Sequence, residues 1–95
     1  MEIVWLRSAV KDLERLQQFI IQHNPRAARE IAVKVKGAVM HLVAHPELGR
    51  PVEDLPYFRD ITIPFGAGGY LLRYRLVSEK IYIVSIRHVR EDRFH

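Results

Sequence analysis

Tyr70-Leu71-Leu72-Arg73-Tyr74-Arg75-Leu76-Val77-Ser78-Glu79-Lys80-Ile81-Tyr82-Ile83-Val84-Ser85-Ile86-Arg87-His88 sets the architecture of this chain. Two runs rich in β-branched and aromatic residues, 70–76 and 81–88, flank a short polar turn, which is the pattern of an antiparallel hairpin. Alternation assigns the faces. In the first run Tyr70, Leu72 and Tyr74 share one face, and Leu71, Arg73 and Arg75 share the other. In the second, Tyr82, Val84, Ile86 and His88 lie opposite Ile81, Ile83, Ser85 and Arg87. The apolar faces are expected to meet a covering layer. Arg73, Arg75, Ser85 and Arg87 remain on the other side, followed in sequence by Arg90 and Arg93.

Upstream, Arg59-Asp60-Ile61-Thr62-Ile63 alternates as a further half-buried strand, and Pro64-Phe65-Gly66-Ala67-Gly68-Gly69 turns the chain. These glycines suit a hairpin turn that needs positive φ. They do not make a nucleotide loop, because no helix follows to receive phosphate. Residues 46–57 carry Pro46, Gly49, Pro51 and Pro56 and read as a connecting loop.

The covering layer comes earlier. Leu6, Ala9, Val10, Leu13, Leu16 and Ile20 form one stripe of a helix over about 8–22, with Ser8 as its expected N-cap. Ala28, Ile31, Ala32, Val35, Ala38, Val39, Leu42 and Val43 form the stripe of a second helix over about 25–44. Between them Asn24 caps, and Pro25 suits the first helical position, where a missing N–H costs nothing. Gly37 inside this helix is read two ways, as a point of close helix approach or as a tolerated weak spot. Glu2-Ile3-Val4-Trp5 is a short strand. The expected fold class is α+β, in the order β-α-α-β-β-β: a helical hairpin packed on a small antiparallel sheet. The 95 residues are read as a single domain, 1–95.

Composition narrows the chemistry. The absence of cysteine excludes a disulfide framework, a thiolate metal site and a cysteine nucleophile. The start, Met1-Glu2-Ile3-Val4-Trp5, has no leader pattern, and no apolar run reaches membrane-spanning length. A cytoplasmic location is expected. A net charge of +4 favours anionic partners, whether nucleic acid or an acidic protein. His41 and His45 stand one helical turn apart without an evident third ligand, so no metal and no cofactor are expected. His88 is suited to proton transfer near neutrality, but with no carboxylate or tyrosine at a clear spacing it reads first as a residue packed at the rim of the core.

In order along the chain, several segments resemble the RelE/ParE toxin superfamily, its ParE branch in particular. Val4-Trp5-Leu6-Arg7-Ser8-Ala9-Val10-Lys11-Asp12-Leu13 is similar to the family's opening, and Asn24-Pro25-Arg26-Ala27-Ala28 to its second-helix start. His45-Pro46-Glu47-Leu48-Gly49-Arg50-Pro51 resembles its post-helix loop, and Arg59-Asp60-Ile61 its strand entry. Tyr70 to Arg75 and Ile86-Arg87-His88-Val89-Arg90-Glu91-Asp92 resemble its last strands. Val89 departs from the glycine or polar residue common after this histidine.

The resemblance implies the toxin of a type II toxin–antitoxin system, of the kind that serves plasmid stabilisation. Such a ParE-like toxin inhibits DNA gyrase, and so replication, and is neutralised by a ParD-like antitoxin. The resemblance implies that a ParE-like toxin is not itself an enzyme. The alternative it implies is a RelE-like, ribosome-dependent mRNA endonuclease, for which Arg73, Arg87 and His88 would be the catalytic candidates. For the antitoxin or the target, the candidate binding residues are Arg59, Arg73, Arg75, Arg87, His88 and Arg90. Dimers, or hetero-oligomers with antitoxin, are compatible with the family.

Overall fold

A computed structural model describes residues 1–66 and 68–89. The elements are β1 (Glu2–Trp5), α1 (Arg7–His23), α2 (Pro25–Ala44), β2 (Arg50–Pro51), β3 (Phe58–Phe65), β4 (Gly68–Val77) and β5 (Lys80–His88). They form one sheet of order β1-β5-β4-β3-β2. The β3-β4-β5 meander is antiparallel, as expected. β1 joins β5 in parallel, and the two-residue β2 adds to β3 within the segment expected to be loop alone. The sheet is therefore mixed, with the helical hairpin on one face.

Local chemistry explains the boundaries. The Asn24 side chain accepts from Ala27 N–H at 3.2 Å, and Pro25 opens α2. Ser78 and Glu79, with φ of 50° and 63°, turn β4 into β5. That double left-handed turn matches the twist of the flanking strands.

Two sequence expectations need correction. Ser8 does not cap α1; Leu6 occupies that position with no side-chain cap. The Ser8 hydroxyl instead donates to Val84 O at 2.6 Å, and Asp12 accepts from Ile86 N–H at 3.0 Å. The four-residue β1 ends opposite Ile83, so these α1 side chains satisfy the edge of β5 where β1 stops.

Strict alternation in β5 also fails. Arg73 faces Ser85 while Tyr74 faces Ile83, which leaves Val84 without an opposite residue. This β-bulge changes the parity of the strand. Ile81, Ile83 and Ile86 all enter the core, and Tyr82 lies opposite Arg75. The core joins them to Ile63, Tyr70, Leu72 and Tyr74 beneath Leu16, Ile20, Ile31, Val35 and Leu42 of the helices. A Cβ added at Gly37 would meet nothing within 4 Å, so of its two readings the tolerated weak spot holds.

Candidate functional site

Among the described residues no helix covers the second face of the sheet, and register arranges its side chains in rows. One row runs Arg50, Asp60, Arg73, Ser85. The next runs Thr62, Leu71, Arg87, and on the other side lies Phe58, Arg75, Tyr82, Val4. Arginine stems and the apolar residues between them make this face partly greasy as well as basic.

Arg73 meets Asp60 in a two-pronged pair, Nε to Oδ1 at 2.9 Å and Nη2 to Oδ2 at 3.1 Å. Both side chains are about one-fifth exposed (22% and 20%), so the pair holds its geometry better than a fully solvated one. The Arg75 guanidinium lies 5.8 Å from the Phe58 ring centre. At the β3 edge, Leu48, Arg50, Asp60, Ile61, Thr62 and Leu71 line a recess of about 500 Å³.

Of the residues expected at a site, Arg73, Arg75 and Arg87 share this face. Arg59 does not. It stands opposite Tyr74 on the helix side and donates to the carbonyls of Gly49 at 2.7 Å and Glu47 at 3.2 Å. Tyr74 holds the same loop: its hydroxyl accepts from Gly49 N–H at 2.9 Å and donates to Pro46 O at 2.7 Å. Burial pushes the Tyr74 phenol above its ordinary pKa, against a smaller opposing effect of the Gly49 hydrogen bond. Gly49 is required there, because a Cβ would stand 2.7 Å from the Tyr74 ring and 2.9 Å from Arg59 Cβ.

His88 also lies on the helix side. It faces Tyr70 across the ladder, with the rings edge to face at 5.3 Å. It is thus at the rim of the core, across the sheet from Arg73 and Arg87. Arg90 lies outside the described residues. His41 and His45 have ring centres 5.2 Å apart, and among the described residues no group of three or more such side chains could hold a metal.

Sequence reasoning missed Arg50, Asp60 and Tyr82. Alternation through Arg59-Asp60-Ile61 carried the signal for Asp60. The signal for Arg50 was hidden in a proline-rich segment, and that for Tyr82 by the bulge. A second recess, apolar and about 420 Å³, opens between β1 and the helical hairpin. Trp5, Leu13, Val35, Val39 and Met40 contribute to its walls. No helix among the described residues is long and apolar enough to cross a membrane.

Similarity to known proteins extends over nearly the whole chain. The family model for the ParE toxin of type II toxin-antitoxin system, parDE, matches residues 3–93. Toxin RelE1 of Caulobacter vibrioides is 35% identical over 85 residues, spanning 90% of this chain and 89% of that protein. Toxin RelE3 of the same organism is 32% identical over 85 residues, 90% of each chain. A solved structure described as the chromosomal ParDE TA system from P. aeruginosa gives a TM-score of 0.75 at 26% identity, covering 94% of this chain and 96% of that one. The chain belongs to the ParE toxin family of type II toxin–antitoxin systems, within the RelE/ParE superfamily.

Proposed function

We propose that this toxin acts in the cytoplasm by inhibiting DNA gyrase, and that a ParD-like antitoxin neutralises it. The observation that supports gyrase over mRNA as the target is the separation of the nuclease candidates. An RNA-cleaving site needs charge stabilisation and proton transfer at one phosphate. Arg73 and Arg87 lie on one face of the sheet, and His88 packs on Tyr70 at the other. Asp60, paired with Arg73, adds negative charge where a phosphate would have to sit.

For the antitoxin, the two surfaces suggest complementary chemistry. Apolar side chains of an amphipathic segment suit the recess beside the hairpin, and carboxylates suit the arginine rows. Purified toxin added to a supercoiling assay and, separately, to translating ribosomes tests the target. Loss of supercoiling with intact mRNA is expected. Codon-register mRNA cuts abolished by His88→Ala would overturn the proposal in favour of the nuclease.

A further inference from the structure

Residues 52–58 close on themselves. Val52 N–H donates to Phe58 O at 3.0 Å, Leu55 N–H to Val52 O at 3.3 Å, and Phe58 N–H to Leu55 O at 3.2 Å. The turn Leu55-Pro56-Tyr57-Phe58 is unusual in one residue. Proline fixes φ at the first central position near −65°, and Tyr57 at the second has φ of 71°. That is the pattern of a type II turn, whose second central residue is normally glycine or asparagine. A bulky aromatic is an outlier there, because its Cβ crowds the backbone.

The Tyr57 ring gains little within the fold. The residue is 66% exposed, and among the described residues its side chain makes no hydrogen bond or ring contact. The backbone has a role, since Tyr57 O accepts from Leu76 N–H at 2.8 Å, but any residue could supply that carbonyl. Strain retained without an internal return is a feature of binding surfaces. Leu55 is 40% exposed beside it, and Glu53 and Asp54 are exposed too. On a chain of net charge +4, residues 52–57 hold two carboxylates and no cation.

We propose that the Leu55-Pro56-Tyr57 knuckle is the contact to the toxin's protein target, with Tyr57 seated in an apolar pocket rimmed by lysine and arginine. Tyrosine is a residue type that anchors interfaces. The charge separates this surface from the arginine rows: an acidic partner suited to those rows is repelled by Glu53 and Asp54. A target that holds DNA carries cationic surface to neutralise phosphates, which fits the knuckle. The inference rests on the toxin reading above, and the gyrase reading adds only the source of that cationic surface.

The test uses the full chain with Tyr57→Asn and Tyr57→Gly, both suited to the turn. Growth arrest on induction, Tm and co-purification with the cognate antitoxin are measured together. The expected result is a Tm equal to the parent's or higher by a few degrees, with antitoxin capture unchanged. The dose needed for arrest rises by about tenfold or more. Glu53→Lys with Asp54→Lys is expected to shift the dose the same way.

Arrest at the parental dose, a clear fall in Tm, lost antitoxin capture, or a parent that arrests nothing would each overturn the proposal. So would stronger arrest by the charge-reversed variant. Gyrase supercoiling with the parent chain is read separately. A parent that arrests growth but leaves supercoiling intact removes the gyrase reading, and the growth assay still decides the knuckle.

Discussion

Leu71 and Leu72 are neighbours in β4 and lie on opposite faces of the sheet. Leu72 is fully buried under the hairpin opposite Ile86, whereas Leu71 is half-buried opposite Arg87. The same contrast runs along the strand: Tyr70 and Tyr74 turn inward, Arg73 and Arg75 outward. One face carries the apolar burial that holds the fold, and the other carries the rows of arginines. The largest expected effect tests that division. Leu72→Ala should cost about 2–5 kcal/mol by opening a cavity. Leu71→Ala should cost less than about 1 kcal/mol. Equal losses in denaturant titration would break the comparison.

Tyr74 extends the inner face toward the loop at 46–49. Tyr74→Phe leaves Gly49 N–H and Pro46 O without their partner, which should cost about 1–3 kcal/mol. The phenol also links stability to pH. Its folded pKa is raised above the ordinary 10.0 by burial, so the folded state holds the proton more tightly than the unfolded chain. That contribution is fully present below the unfolded value and is lost as pH rises through the folded one. The parent should therefore lose more stability above about pH 10 than the Phe variant does. Parallel pH profiles for the two proteins would contradict this account.

On both faces the sequence was legible where local chemistry decides. Asn24-Pro25 marks the helix junction because capping and proline act locally. The β4 arginines share a face because nothing interrupts that strand's alternation. Legibility stops where a residue's role depends on distant partners. Ser8 and Asp12 look like helix-start residues, yet they reach β5 from more than 70 positions away. The parity change at Val84 depends on the ladder with β4. Its trace in sequence is the spacing of Ile81, Ile83 and Ile86, two residues and then three. Arg59 looks like any other strand arginine until the Gly49 and Glu47 carbonyls come within its reach.

Asp60 is the carboxylate that tempers the outer face. Asp60→Asn keeps the shape and removes the charge opposite Arg73. Because the pair is partly exposed, the expected stability loss is about 1 kcal/mol or less. The rows become more positive, so association with an acidic antitoxin should quicken by on the order of a few-fold at low salt. The gain should fade as ionic strength rises. A slower association, or a gain independent of salt, would mean the antitoxin does not read this face through its charge.

The solvent side of α2 belongs to neither face of the sheet and so serves as a control for both. Gly37 is exposed there, with open space where a Cβ would project. Within a helix, glycine is less favourable than alanine because the unfolded chain loses more freedom on folding. Gly37→Ala should therefore stabilise the protein by roughly 0.5–1 kcal/mol, seen as a small rise in Tm. Antitoxin binding and growth arrest should stay at parental values, since the new methyl touches neither the arginine rows nor the recess beside β1. A rise in Tm together with weakened antitoxin binding would instead show that a partner helix uses the gap at Gly37. The toxin's binding surface would then extend around the hairpin.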